Sequence, residues 1–503
     1  MVRSKKSMML VVSLILALTM VLSACGSKDN NSSTSPSASS GTGSDPSAGK
    51  TEKPVELIWY TIGTPQRDVD KVMEEVSKYT AEKIGVTVKM TQLDWGDYDQ
   101  KMKVMTASGT KMDIMFTSSW AFDYVQNARK GAFLAIDDLL EQHGKEIKAA
   151  LNPAFLEGSK VDGHNYGIPA NKELPALEVW RFNKQLLEKY DLDYTKVTTS
   201  LDSLEPLFKV IKENEPDVVP FAMNKDYSPV LPYDYLIDKL PMVVKLGSTD
   251  YKVENLLETP ELKEALNTMH RFYKAGYVSA EAATTPSTDD LMKSGKWFAD
   301  RAATVPFADN LWSASYGYPV VSTQASESVV YNWSVMGSLQ AISANSEHPE
   351  KAMEFLNLLN TDPYLRNLVD SGIEGVHYEK LDNNYMKNLD ESKNYDMPTF
   401  SLGNVLLTYL NEGDPANKWE EYATFNNAST QAPTLGFNFD TSSVTAELAA
   451  VQNVKSEFWS ALMTGTVNPD EYLQKAIEKF KAAGLDKIIA EAQRQLDEWR
   501  AAK

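Results

Sequence analysis

Between residues 57 and 116, the hydrophobic pattern alternates between strand-like and helix-like segments. Short apolar runs at 57–61, 86–93 and 113–116 predict buried strands, while 68–84 and 97–108 place apolar side chains at helical spacing. Parallel strands joined by helices and short loops connect in a right-handed sense and form one sheet. The pattern therefore predicts that the folded part of the chain begins as an α/β domain.

The remainder of the chain is richer in predicted helices. Helical spacing of apolar residues predicts helices over 121–140, 183–189, 200–213 and 350–359. A core strand is predicted over 301–307, running into Ala308-Asp309-Asn310. Asn468-Pro469 has the residue types that start a helix, and Gly484 is expected to end it before a last amphipathic helix over 486–499.

The first 25 residues have the layout of an export signal. Basic residues near the start precede an apolar run over 8–22 that is too short and wrongly flanked for a membrane span. The run leads to Cys25, the only cysteine of the chain. Leu22-Ser23-Ala24-Cys25 resembles a bacterial lipobox. That resemblance implies cleavage before Cys25, a lipid on its thiol and a membrane anchor on the extracytoplasmic face, as on a Gram-positive cell surface. An ordinary cleaved signal or an uncleaved anchor is the alternative.

Residues 26–53 are rich in Ser, Gly, Thr, Asn and Pro and cannot bury a core, which predicts a disordered tether. We therefore assign 1–24 to a signal peptide and 25–53 to the lipidated cysteine and its tether. The formal charge of the chain is −19 and its first 24 residues are basic, so the rest is strongly acidic. This charge argues against nucleic acid as a partner. The sequence has no second long apolar segment, so we predict no membrane domain.

The chain lacks the common sequence motifs of catalysis and metal binding. None of its five histidines lies at metal-ligand spacing from another, and HExxH and CxxC motifs are absent. There is no phosphate-binding loop, no G-x-S-x-G elbow and no G-x-G-x-x-G fingerprint. The sequence therefore predicts no catalytic residue, no metal site and no cofactor.

One pair of carboxylates keeps an enzymatic interpretation open. Asp94 and Asp97 flank Trp95 at the end of a predicted strand, and a glycosidase uses two carboxylates across its cleft. The alternative, which we favour, is structural. In that case Asp97 caps the next helix and Asp94 binds backbone in the turn.

Tryptophans at predicted strand ends are more informative. Trp59 lies near the end of one strand, Trp95 and Trp120 lie just beyond two others, and Trp312 follows the Asp309-Asn310 loop. Ligands of open α/β sheets bind outside the carboxyl ends of the strands. Aromatic faces cover the C–H surface of a sugar, and neighbouring polar side chains bind its hydroxyls. The alternative is that these rings pack in the core.

Seven motifs, in their order and spacing, resemble the family-1 extracellular solute-binding proteins of ABC importers, and their LipO-type branch in particular. The resemblance extends over residues 55 to 500. The motifs are DWGDY at 94–98, DIMFTSSW at 113–120, KGAFL at 130–134, GHNYGIP at 163–169, WRFN at 180–183, GIEGVHY at 372–378 and LGFNF at 435–439.

This resemblance implies a two-lobed type II periplasmic-binding-protein fold, α/β with a helical C-terminal region. It implies one lobe of 54–177 plus 336–400 and another of 178–335 plus 401–503, with crossings near 177–180, 333–337 and 400. The lobes would close on a carbohydrate, an oligosaccharide in our interpretation, and deliver it to an ABC permease without catalysis.

The implied ligand-binding residues come from both lobes, and Trp312 lies in a context similar to an aromatic that stacks on sugar in maltose-type relatives. They are Trp59, Tyr60, Trp95, Ser118, Trp120 and Glu374 from the first lobe, and Trp180, Asp309, Asn310 and Trp312 from the second.

Three alternatives remain open at this point. A peptide could be the ligand of the same importer. A lipid-anchored enzyme that processes glycosides would need its two carboxylates at a fixed separation. A sensor would bind a ligand without supplying a permease.

Overall fold

The computed structural model describes residues 53–503. The predicted export signal, the lipobox cysteine and nearly all of the predicted tether lie outside the described residues. Residues 53–503 belong to one compact unit. Within residues 53–503, no helix is both long enough and apolar enough to cross a membrane.

The first lobe is built on a five-stranded sheet that contains the predicted α/β pattern. The first three strands pair in parallel, whereas the strand contributed late in the chain runs antiparallel to both of its neighbours. In spatial order the strands are Val86–Leu93, Val55–Ile62, Ile114–Thr117, Leu339–Ile342 and Gly167–Pro169.

The second lobe has a four-stranded mixed sheet. A three-stranded sheet lies in the same part of the chain. The four strands are Val320–Gln324, Glu178–Asn183, Trp297–Ala303 and Val219–Phe221, and the three are Val253–Asn255, Met242–Lys245 and Tyr233–Tyr235. Short strands elsewhere are Lys160–Val161, His164–Asn165, Val329–Val330, Tyr378–Lys380, Tyr385–Asn388, Leu410–Asn411 and Thr430–Gln431.

Helices cover the sheets and fill the C-terminal region. Those before residue 200 are Val69–Ile84, Tyr98–Ala107, Tyr124–Arg129, Asp137–His143, Lys145–Ala150, Pro153–Gly158 and Lys184–Lys189. The others are Glu205–Asn214, Pro260–Lys274, Asp289–Lys293, Ala308–Tyr316, Asn332–Val335, Pro349–Thr361, Pro363–Ser371, Lys418–Asn427, Thr445–Met463, Pro469–Ala482 and Leu485–Ala501.

Local residue types explain several of these boundaries. The helix Val69–Ile84 ends at Gly85, which adopts a left-handed conformation that glycine accepts without steric cost. Pro469 starts its helix, and the Asn468 side chain accepts a hydrogen bond from the backbone N–H of Asp470. Gly484 separates that helix from the last one, whose apolar face packs into a core with the three-stranded sheet.

Two predicted elements differ from the structure. The single helix predicted over 121–140 is two helices, Tyr124–Arg129 and Asp137–His143. Between them Gly131 takes a positive φ, and Phe133 bridges to Ser343 of the sheet. The strand predicted over 301–307 ends at Ala303, so Asp309 and Asn310 belong to the first turn of the helix Ala308–Tyr316 rather than to a loop.

The strands limit where the chain passes between the two lobes. The first passage lies within 170–177 and the second within 325–338, and the two are joined by hydrogen bonds between Ala176 and Val329. Leu402 and Leu435 belong to the core of the first lobe, which favours a third passage nearer residue 435 than residue 400. The precise extent of each lobe along the chain stays a prediction.

Candidate functional site

Three aromatic side chains form an exposed cluster at the carboxyl ends of the first-lobe strands. The rings of Trp95 and Trp120 stack at 6.3 Å and 23°, and Phe400 lies 6.3 Å from each of them. Trp95 is 43% exposed and Trp120 is 53% exposed. We call Trp95, Trp120 and Phe400 the aromatic platform. It is where the sequence predicts a ligand, outside the carboxyl ends of parallel strands.

Hydrogen bonds hold Trp120 in place. The hydroxyl oxygen of Ser118 accepts hydrogen bonds from the backbone N–H groups of Trp120 and Ala121. The indole Nε1 of Trp120 donates to the carbonyl oxygen of Gly337 at 2.8 Å. Ser118 is fully buried, so it positions the loop that carries Trp120 rather than facing a ligand.

A buried arginine fixes the segment that carries Phe400. Arg366 donates to the carbonyl oxygens of Thr399 and Asn404, and it pairs with Asp370 at 3.0 Å. Because a guanidinium has five N–H donors in a rigid plane, these bonds fix both sides of the segment. Gly63 lies at the end of the first strand with a positive φ, and a Cβ there would lie 3.2 Å from Pro398. Its missing side chain lets this segment approach the strand.

A cavity of about 580 Å³ adjoins the platform through Phe400. Its wall includes the aromatic residues Tyr409, Trp419 and Tyr422, together with charged residues of both signs such as Lys172 and Asp396. Burial raises the pKa of Tyr422 to about 12, so its hydroxyl is neutral. A volume of this size suits a small-molecule ligand, and the mixture of rings and polar groups suits a polyhydroxylated one.

The segment of the second passage carries another exposed aromatic side chain. Trp333 is 51% exposed, and its ring stacks on Tyr331 at 5.5 Å and 12°. Gly337, which accepts the hydrogen bond from Trp120, lies four residues further on. The two aromatic surfaces are therefore linked along one short segment of chain.

Four of the predicted first-lobe residues do not join the platform. Trp59 is fully buried, donates from Nε1 to Gln340 and contacts the edge of Phe355, so we reassign it to the core. Tyr60 is half-buried and packs on the same hydrophobic cluster as Phe400. Ser118 has the positioning role given above. Glu374 is exposed, forms an isolated β-bridge with Tyr378 and does not line the cavity.

The predicted second-lobe residues have mostly structural contacts. Trp180 is fully buried and donates to the carbonyl oxygen of Thr198, so it belongs to the core. Asp309 accepts hydrogen bonds from the backbone and hydroxyl of Ser322. Trp312 is partly covered by the guanidinium of Arg181, 4.7 Å from its ring. Asn310 is exposed and stays a prediction.

Sequence reasoning missed Phe400, Trp333 and the cavity. Phe400 and Trp333 both lie at positions where the sequence predicts a crossing between lobes. Because crossings between lobes border the cleft, an aromatic residue at a predicted crossing is a signal from which Phe400 and Trp333 could have been identified as candidate site residues.

The carboxylates of the enzymatic alternative lie in one tight turn. The backbone carbonyl of Asp94 accepts from the N–H groups of Asp97 and Tyr98, and its side chain accepts from Gly96. Asp97 pairs with Lys101 at 3.0 Å and does not cap the helix with its side chain. Two carboxylates in one turn do not face each other across a cleft as a glycosidase requires.

The family model for bacterial extracellular solute-binding proteins matches residues 64–365. The chain belongs to this family. Residues 433–501 of this solute-binding protein also match a domain of unknown function, DUF3502. The family is one of binding proteins rather than enzymes, and its members lie outside the cytoplasm.

Individual relatives agree with this assignment. A carbohydrate ABC transporter substrate-binding protein of Streptococcus pneumoniae is 36% identical to this solute-binding protein, and the match covers 96% of each chain. Lipoprotein LipO of Bacillus subtilis is 24% identical over 48% of this chain and 46% of its own.

Among solved structures, the N-glycan transport solute-binding protein NgtS of S. pneumoniae is similar over 88% of this chain and 98% of its own, with 35% identity and a TM-score of 0.80. Its complexes with Man1GlcNAc and Man5GlcNAc cover 88% and 89% of this chain and 99% of theirs, at 34% and 35% identity. Their TM-scores are 0.68 and 0.66. The two-lobed α/β fold expected from the sequence is confirmed by these similarities.

Proposed function

We propose that this protein captures an oligosaccharide in the cleft between its lobes and delivers it to an ABC permease. The aromatic platform is the observation that carries the proposal. Two stacked indoles, each about half exposed, present a flat apolar surface at the carboxyl ends of the strands. Sugar rings bind such surfaces through their C–H faces, while the hydroxyls need polar partners such as those of the adjoining cavity.

The similarity to NgtS supports a more specific ligand, an N-glycan fragment that contains mannose and N-acetylglucosamine. NgtS is described as an N-glycan transport protein and has been solved with Man1GlcNAc and Man5GlcNAc. In the present chain, the platform and the cavity of about 580 Å³ meet at Phe400 and offer a surface longer than one sugar ring. That extent favours an oligosaccharide over a monosaccharide.

Closure of the lobes is the proposed mechanism of capture. The TM-score falls from 0.80 to 0.68 and 0.66 between the first NgtS structure and its two glycan complexes, although identity is nearly unchanged. A change in lobe arrangement on glycan binding would account for this difference. A ligand of micromolar affinity supplies about 8 kcal/mol, which is enough to favour closure if both lobes contact it.

The proposed location is the outer face of the cell membrane, as on a Gram-positive surface. The lipobox resemblance at Cys25 supports a lipid anchor there, and the polar segment that follows would serve as its tether. An anchored protein stays near the permease while its lobes remain free to bind ligand.

The test titrates the purified protein with a panel of ligands and measures its tryptophan fluorescence and melting temperature with each ligand. The panel contains mannose–GlcNAc oligosaccharides, other oligosaccharides, monosaccharides and short peptides. A spectral change with a raised melting temperature for the oligosaccharides supports the proposal, because a ligand that binds only the folded state stabilises it. A response to peptides alone would contradict carbohydrate capture. Hydrolysis of a glycan during the titration would contradict a pure binding role.

A further inference from the structure

Arg301 and Glu178 lie at the end of the second-lobe sheet that faces the passages between lobes. Arg301 is two residues from the end of its strand, and Glu178 is the first residue of the neighbouring strand. The backbone N–H of Thr304 donates to the carbonyl oxygen of Leu177 at 2.9 Å, and that of Glu178 donates to the Ser326 hydroxyl at 2.9 Å. Leu177 belongs to the first passage and Ser326 to the second, so this end of the sheet adjoins both passages.

The guanidinium of Arg301 has unused hydrogen-bonding capacity. Its Nε is buried and has no hydrogen-bond partner among residues 53–503. The Glu178 carboxylate lies 3.7 Å from that nitrogen, which is an ion pair but too long for a hydrogen bond. One face of the guanidinium is covered by the Tyr227 ring at 5.4 Å. A buried donor left without a partner costs free energy, so the guanidinium retains hydrogen-bonding capacity.

The second passage runs beside the segment that leads into Glu178. Ala176, two residues before Glu178, exchanges two backbone hydrogen bonds with Val329, and Tyr331 lies two residues beyond Val329. The carboxylate of Glu178 is also among the charges that raise the pKa of Tyr331. The exposed ring of Trp333 stacks on the ring of Tyr331. We call Glu178, Arg301, Tyr331 and Trp333 the hinge-side cluster.

The side chains of Arg301 and Glu178 are each about one quarter exposed, at 26% and 24%, so part of each can be reached from solvent. Arginine supplies donors only and a carboxylate supplies acceptors only. Two neighbouring hydroxyls of a sugar can accept from the first and donate to the second. An acidic sugar would instead bring its carboxylate close to that of Glu178, which is unfavourable.

We infer that the hinge-side cluster forms the second-lobe wall of the ligand site, where Arg301 and Glu178 bind adjacent hydroxyls of a neutral sugar ring that stacks on Trp333. This inference rests on the proposed function, because it names the residues and the sugar class of the same cleft. It replaces Trp180 and Trp312 as the main second-lobe contacts.

The test is calorimetric titration of Man5GlcNAc into the purified protein and its variants. Arg301→Ala and the isosteric Glu178→Gln should each weaken binding about tenfold to a hundredfold, which is typical of lost hydrogen bonds to charged groups. Arg301→Lys should recover only part of the loss, since lysine lacks the planar fork. Arg271→Ala is the matched control, because Arg271 forms exposed ion pairs with Asp202 and Glu205 on the same lobe. It should leave affinity unchanged.

The outcomes separate this inference from the proposed function. If a variant melts at nearly the same temperature as the unaltered protein, unfolding is not the cause of its lost affinity. If Arg301→Ala does not fold, Glu178→Gln still tests the inference, because it preserves side-chain volume. Unchanged affinity in Glu178→Gln and Arg301→Lys would overturn the inference alone. Tighter binding of a uronic-acid oligosaccharide than of Man5GlcNAc would overturn the neutral-sugar assignment. If the unaltered protein binds no glycan, the proposed function fails and this inference fails with it.

Discussion

The indole Nε1 of Trp120 donates a hydrogen bond to the carbonyl oxygen of Gly337 at 2.8 Å. This bond joins the aromatic platform of the first lobe to the segment of the second passage between lobes. The ring that we propose to bind ligand is thereby attached to the backbone of that segment. We therefore expect ligand contact with the platform to affect this segment.

Removal of a platform ring should reduce affinity without unfolding the protein. Trp95→Ala should weaken oligosaccharide binding about tenfold to a hundredfold, because stacking and apolar burial contribute on the order of 1–3 kcal/mol for one aromatic side chain. Its melting temperature should change little, since Trp95 is 43% exposed. Calorimetry measures the affinity. Tyr472→Ala, which removes a 38% exposed ring on a C-terminal helix, is the control. Equal affinity of Trp95→Ala and the unaltered protein would remove the platform from the site.

A buried ion pair on the second-lobe sheet should be important for stability. Arg181 and Asp300 form two hydrogen bonds, and both side chains are buried. Asp300→Asn leaves the arginine charge without its counter-charge and should lower the free energy of unfolding by about 3–5 kcal/mol. Urea denaturation measures this change. Asp202→Asn is the comparison, because it disrupts an exposed pair with Arg271 and should cost less than about 1 kcal/mol. Similar losses in the two variants would contradict the role assigned to burial.

Asp234 should make stability depend on pH between about 4 and 6. Burial raises the pKa of Asp234 to about 6, with its carboxylate accepting a hydrogen bond from the Thr434 hydroxyl. The unfolded chain has the lower pKa, so the folded state binds more protons in this range. The contribution of Asp234 to stability is therefore present below pH 4 and is lost as pH rises to 6.

The variant Asp234→Asn removes this titration. Relative to the unaltered protein, it should gain stability as pH rises from 4 to 6, by up to about 3 kcal/mol for a difference of two pKa units. Urea denaturation at several pH values measures the two curves. Parallel curves over this range would show that Asp234 keeps an ordinary pKa in the folded protein.

Cys25 is predicted to carry the membrane anchor. In a Gram-positive host, Cys25→Ser should abolish labelling of the protein by radioactive palmitate and release it from the membrane fraction into the medium. Ser23→Ala, which keeps a small residue before the cysteine, is the control and should remain labelled. Membrane retention of Cys25→Ser would favour an uncleaved apolar anchor instead.

The first lobe was the most predictable part of the fold. Its strands at 55–62 and 86–93 follow from local hydrophobic patterns and turn residues, and the predicted pattern agrees with the structure to within a few residues. The prediction of one continuous helix over 121–140 was wrong, because the structure has two helices there. Apolar spacing persists across Gly131, while the bridge from Phe133 to the sheet is a tertiary contact that the spacing does not reveal.

Site residues were harder to predict because a position near the end of a strand does not by itself separate a side chain within the strand from one in the loop beyond it. Trp95 and Trp120 lie beyond strand ends and are exposed there. Trp59 lies within the strand Val55–Ile62 on its core-facing side, so its ring is buried despite the same residue type. Arg301 was not predicted at all, because its significance lies in an ion pair with a residue 123 positions earlier in the chain, Glu178.

Capture of an oligosaccharide by closure of the two lobes should make the protein more compact. Small-angle X-ray scattering of the purified protein, with and without saturating Man5GlcNAc, measures this change. The radius of gyration should be smaller with the glycan and unchanged with a short peptide of similar mass. The Trp95→Ala variant should need a higher glycan concentration for the same change. An unchanged radius of gyration at a glycan concentration where calorimetry shows binding would contradict capture by closure.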